Sequence, residues 1–224
     1  AAATRSNGVL VAFLLGLVYL YGPRGRSAVA QGAWWRPRFR IERDFAWLAL
    51  VPVGLAAYLG YLWVAHDAPL EPYRVARLYW YHSFGPPLGG IIYTLGSLPG
   101  DLSAVFSGHF RPLGFGDPIG WQARNLIDLL FLLLALVCLA VAWRRVPRTY
   151  VLYTVVALAQ VTSFPGPHEP MIGLPRYMLP MFALFMGAGA YLAEHRRAAR
   201  VAVVLSSALL VVFSGVWGTW SLVP

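Results

Sequence analysis

Lysine is absent from this chain, acidic residues number only nine, and there is a single cysteine. Each scarcity excludes something. The lone Cys138 sits inside an apolar run, which rules out a disulfide framework and any cysteine-based metal site. Only 12% of residues are charged while 58% are hydrophobic, so this is not an ordinary soluble domain, in which about a quarter are charged. Several chemical signatures are missing as well. There is no glycine-rich phosphate loop, no Gly-x-Ser-x-Gly elbow, no His-Glu-x-x-His and no Asp-x-Asp pair. The last absence argues against a nucleotide-sugar enzyme holding its metal through such a pair. No repeat or low-complexity segment is visible.

What is present is arginine, and its placement organises the chain. All 18 basic residues are Arg, and 12 of them fall within residues 24–43, 144–148 and 196–200. The stretches between are apolar and long enough to cross a bilayer, which makes this an all-α, polytopic membrane protein. In a soluble protein the net charge of +9 would suggest nucleic acid as a partner. Here the excess is loop arginine that orients helices and meets anionic lipid headgroups, so membrane lipids are expected as partners and nucleic acid is not.

Six spans are expected in one transmembrane domain covering 1–224, at about 2–21, 45–65, 126–143, 150–164, 174–192 and 201–223. Threading them in alternation puts all three arginine clusters on one side. The other side receives Arg5, Arg74, Arg77, Arg111, Arg124 and Arg176, which is the positive-inside pattern. Both chain ends then face away from the cytoplasm. Residues 66–124 form the one large extramembrane piece, expected as a folded extracytoplasmic cap on the membrane surface. Tyr73, Tyr79, Trp80, Tyr81 and Phe84 crowd its first part, as in a helix lying among headgroups. Residues 88–98 are apolar but too short to span, hence interfacial or re-entrant.

Charge at membrane depth is costly and therefore marks functional candidates. Arg5, in Thr4-Arg5-Ser6-Asn7-Gly8, and Arg176, in Gly173-Leu174-Pro175-Arg176-Tyr177, fall at the same non-cytoplasmic face. A guanidinium makes planar, bidentate hydrogen bonds to phosphate and never deprotonates, which suits a lipid phosphate; snorkelling to the interface is the plainer alternative. Tyr177 is a second contact candidate or an interfacial anchor. His168 and Glu169, eight and seven residues before Arg176, are placed to serve a metal, a base or substrate contacts, or are a solvated loop pair. Asp128 follows Asn125 by three and is expected to favour a helix N-terminus.

Two of these motifs, Thr4-Arg5-Ser6-Asn7-Gly8 and Leu174-Pro175-Arg176-Tyr177, each opening a helix, together resemble the PIG-V-type mannosyltransferases of the GT-C glycosyltransferase superfamily. The similarity in order extends over nearly the whole chain, including Trp80 in the aromatic loop and the Phe182-Ala183-Leu184-Phe185 run, though only the two arginine motifs are specific. It implies a GT-C-like fold and transfer of a hexose, most naturally mannose, from a polyprenyl-phosphate sugar to a lipid-linked acceptor. Another prenyl-linked sugar transferase, or a lipid or solute transporter, is the alternative. By this resemblance Arg5, Asn7, Arg176, Tyr177, His168, Glu169 and Trp80 are the substrate-binding residues. No cofactor is required by it, although a divalent metal remains possible. Gly173 stands where the family usually has Ser, so a hydroxyl contact there is lost. The catalytic carboxylate is expected upstream of Ala1, making this chain the C-terminal part of a longer protein. The Arg-, Ala-, Gly- and Pro-rich composition without Lys points to a bacterial plasma membrane, with the active face extracytoplasmic.

Overall fold

The computed structural model describes residues 10–22, 39–79, 84–108 and 120–218. All regular structure there is helical, with no strand among the described residues. Three helices are long and apolar enough to cross a membrane. In the first, a 3₁₀ turn over Arg43–Ala49 runs into α2, Leu50–His66. Pro52 lacks the N–H that would bond back to residue 48, so the regular α-helical ladder is established only beyond it. The others are α5, Gly120–Arg145, and α9, Arg196–Gly218. At 1.5 Å per residue α5 reaches about 39 Å, more than the roughly 30 Å of a hydrocarbon core.

None of the most apolar 18-residue stretch of α9 is buried against the rest of the chain. Leu205, Leu210 and Val211 all lie open on it. A water-facing surface rarely carries so continuous an apolar area, whereas lipid tails accept it without cost. The described surface is that of a membrane protein.

The remaining helices are shorter. They are α1 (Leu10–Tyr21), α3 (Glu71–Tyr79), α4 (Gly89–Ser107), α6 (Arg148–Thr162), α7 (Leu174–Met178) and α8 (Phe182–Glu194). The core lies where α5, α6, α7 and α8 meet, around Leu132, Tyr153, Leu158, Met171, Leu174, Met181 and Leu184. Helix α1 lies on α6, and α4 on α5. Ala142, Val146, Val151 and Ala183 make a second cluster at the other end of α5. There α8 comes close because Gly187 has no side chain: a Cβ on it would sit 2.7 Å from Ala142 Cβ and 2.9 Å from its Cα. One turn on, Arg145 donates to the Ala190 carbonyl at 3.2 Å and pairs with Glu194 at 2.6 Å. Successive residues of α5 thus meet successive residues of α8, and the two helices run parallel.

The structure differs from the sequence-based expectation in three places. Residues 174–192 do not form one continuous helix, because Pro180 cannot donate to the carbonyl four residues back; α7 ends at Met178 and α8 begins at Phe182. The helix expected from residue 126 begins at Gly120, which carries φ of +72°. Residues 88–98 belong to a longer helix, α4, with Pro99 inside it. Residues 1–9, most of the basic loop and Trp80 lie outside the described residues.

Valine at Gly187 forces α8 away from the backbone of α5, and overpacking of this kind costs about 1–3 kcal/mol. The Gly187→Val protein is expected to melt several degrees below wild type in detergent. Gly189→Ala, with nothing within 4 Å of the added Cβ, is expected to melt like wild type. Equal melting of all three proteins would mean that α5 and α8 are not in contact.

Candidate functional site

Helix α5 changes character along one face. Positions 124, 125 and 128 are Arg, Asn and Asp, all 3% exposed or less, while the next residue on that face, Leu132, belongs to the apolar core. Opposite, α4 offers Thr94, Ser97 and Asp101 at helical spacings of three and four; Thr94 and Asp101 are buried and Ser97 partly so. The loop between α6 and α7 supplies Glu169, also buried. A polar cluster therefore sits inside one end of an apolar bundle, where each group must find a partner.

Arg124 and Glu169 are paired: Nε donates to Glu169 Oε1 at 2.6 Å, and one terminal nitrogen lies 2.6 Å from the same oxygen. Asn125 joins three segments. Its Nδ2 donates to Asp101 Oδ2 at 3.1 Å and to the His168 carbonyl at 3.0 Å. Ser97 Oγ adds a second hydrogen bond to Asp101 Oδ2, at 2.9 Å. Among the described residues Asp128 forms no ion pair; Glu169, Arg124 and Arg176 are the charged groups that act on it electrostatically. Asp128 Oδ1, Asn125 Oδ1 and Thr94 Oγ are buried without a hydrogen-bond partner among the described residues.

Arg176 lies at the rim, exposed, at the start of α7. Its position is tied to Gly173, whose φ is +73° and whose Cβ, if it had one, would fall 2.7 Å from the Arg176 guanidinium. Glycine at 173 is thus what the local geometry needs: serine there would be strained in backbone and crowded by the arginine. Tyr177 is half-buried beside it.

Of the residues expected at a site, Glu169 and the main chain of His168 enter the cluster, with Arg176 and Tyr177 beside it. The His168 ring stays exposed, tilted against Trp121 with centroids 5.6 Å apart. Arg5, Asn7 and Trp80 lie outside the described residues. Arg124, Asn125 and Thr94 are additions the sequence did not single out. Asp128 does not sit in a helix N-terminal turn as expected, because α5 starts eight residues before it. The Asn125-x-x-Asp128 spacing within an apolar helix was the available signal. Among the described residues no three His, Cys, Asp or Glu side chains are grouped as a metal would require. Farther out, Arg74 forks onto Glu71 with both bonds at 2.7 Å and holds its carboxyl below the usual range. That pair is exposed and adds little to stability.

Removing one partner of a buried ion pair strands the other, at about 3–5 kcal/mol. Glu169→Ala is expected to lower thermal stability by that amount, and the double variant Arg124→Met/Glu169→Leu to recover most of it. A double variant as unstable as the sum of its parts would show that the two charges do not interact. Comparison with known protein families, with curated proteins and with solved structures finds no match for this chain.

Proposed function

We propose that the chain is part of a membrane glycosyltransferase that moves a hexose from a polyprenyl-phosphate donor to a hydroxyl of a lipid-linked acceptor. Mannose is the sugar the resemblance favours, and the extracytoplasmic face is the side of transfer. Six crossings at about 2–21, 45–65, 126–143, 150–164, 174–192 and 201–223 are part of the proposal, the fifth interrupted at Pro180. Three contacts support that threading. The loops assigned to the outer side touch, through Asn125 and His168 and through Gly85 N–H donating to the Ser163 carbonyl at 3.0 Å. The ends of α5 and α8 assigned to the inner side touch through Arg145 and Glu194.

The observation that carries the proposal is Arg176: an exposed guanidinium in a broken helix, at the rim of a buried polar cluster. A phosphate leaving group needs its growing charge stabilised rather than a proton, and a fixed guanidinium supplies that. Arg124 is neutralised by Glu169, so Arg176 is the guanidinium of this cluster that faces outward. Leu179, three residues on and 69% exposed, offers apolar surface for the donor's lipid tail.

The test uses the full-length protein in membranes, given polyprenyl-phosphate carrying radiolabelled mannose and no nucleotide sugar. Wild type is expected to yield labelled lipid, and Arg176→Ala to yield it about 100-fold more slowly, the usual scale for losing one charge-stabilising donor. Gly173→Ala, which keeps the charge but displaces it, is expected to fall between them. No label from wild type with crude lipid acceptors present would reject mannose; unchanged transfer by Arg176→Ala would remove the arginine from the site.

A further inference from the structure

The Arg124–Glu169 pair leaves two buried carboxylates, Asp101 and Asp128, each 2% exposed or less, with no arginine in contact among the described residues. Asp101 is held by neutral donors, Ser97 and Asn125. Asp128 has not even that, since its Oδ1 lacks any partner among the described residues. An isolated ionised carboxylate in an apolar bundle is costly unless a positive charge reaches it.

Arg124 and Arg176 act on Asp128 without touching it; apart from those guanidiniums, the buried polar atoms left unpartnered on α4 and α5 are oxygens among the described residues. Asn125 turns its nitrogen to the His168 carbonyl, which only accepts, and to Asp101; its Oδ1 must therefore point away from both. That oxygen and Asp128 Oδ1 lie three residues apart on one face of α5, and both are unpartnered. Thr94 Oγ, on α4 one turn from Ser97, is unpartnered and 1% exposed. A carboxylate oxygen, an amide oxygen and a hydroxyl oxygen, buried and unpartnered, form a donor set for a hard cation rather than for a phosphate. Only one of the three carries charge. A divalent ion would want more carboxylate oxygens, and the described residues offer no group of three acidic, His or Cys ligands.

We infer that Thr94, Asn125 and Asp128 bind one alkali-metal cation between α4 and α5. Asp101 and Ser97 act behind them as positioning residues: by engaging the Asn125 nitrogen, Asp101 keeps the amide oxygen turned toward the ion. The bound cation neutralises Asp128 and ties α4 to the helix that carries Arg124, so it stiffens the polar end of the bundle. The inference does not depend on the transfer chemistry and stands or falls separately from it.

The test is thermal unfolding of the full-length protein in detergent, exchanged into choline chloride and titrated with sodium or potassium chloride at constant ionic strength. One of the two alkali ions is expected to raise the melting temperature by several degrees, saturably, as any ligand selective for the folded state does. Asp128→Asn is expected to melt no lower than wild type in choline and to show no alkali response. Thr94→Val is expected to shift the titration midpoint at least tenfold. Retained sodium-22 or rubidium-86 in equilibrium dialysis, lost in Asp128→Asn, would identify the bound ion directly. Identical melting in choline, sodium and potassium would overturn the site, as would a full alkali response in Asp128→Asn. If Asp128→Asn does not fold, an unmoved midpoint in Thr94→Val has the same force.

Discussion

A guanidinium and a carboxylate, 4% and 6% exposed, face each other at 2.6 Å inside a chain that is 58% hydrophobic. Neither charge is tolerable alone in such surroundings, and each is held in place by the other. Because Arg124 lies on α5 and Glu169 in the loop before α7, their pairing fixes how the first turns of α5 meet that loop. Asn125, the adjacent residue, extends the same attachment to α4 through Asp101. The start of α7, which carries Arg176, sits three residues beyond Met171, which is part of the core. The placement of the exposed arginine thus traces back to one buried ion pair and the amide next to it.

Helix α5 is the axis around which the rest is arranged. Its first turns present polar residues inward, its middle presents Leu132 and Ala135 to the core, and its end presents Arg145 to Glu194. An ion pair lies at each end, Arg124 with Glu169 and Arg145 with Glu194, with close apolar packing between. Small residues make that packing possible: Ala142 and Gly187 bring two backbones to a distance that larger side chains would forbid. By contrast α2 and α9 expose nearly all of their apolar surface, so their positions rest on lipid and on neighbouring segments rather than on core packing.

Proline and glycine set the local geometry around Arg176. Pro180 ends α7 after five residues, and Gly173 supplies the left-handed turn that precedes it. A continuous helix through this region would carry Arg176 on a regular face of a span. The broken one instead presents it at a helix start, next to the carboxylates and oxygens gathered by α4 and α5. That division, an anion-seeking group outside and acceptor oxygens inside, is the chemical content of this end of the molecule.

The all-helical class and the presence of helices long and apolar enough to cross a membrane were legible from the sequence, since hydropathy runs are local properties that burial in lipid enforces directly. The break between α7 and α8 was also written locally, in Pro180, but the apolar length of residues 174–192 concealed it. What could not be read was the cluster itself. Asp101 looked like a loop carboxylate and Arg124 like a loop arginine, because nothing in the chain order says that residues 101, 125 and 168 meet. Asp128 lies inside the helix rather than at its start because α5 begins earlier than its hydrophobic run. The sequence by itself determined which segments prefer lipid and where charge collects. The tertiary structure alone decided which buried charges are paired, as Arg124 and Glu169 are, and which oxygens are left open. Pairing depends on contacts between residues as many as 45 positions apart, and helical periodicity carries no information about those.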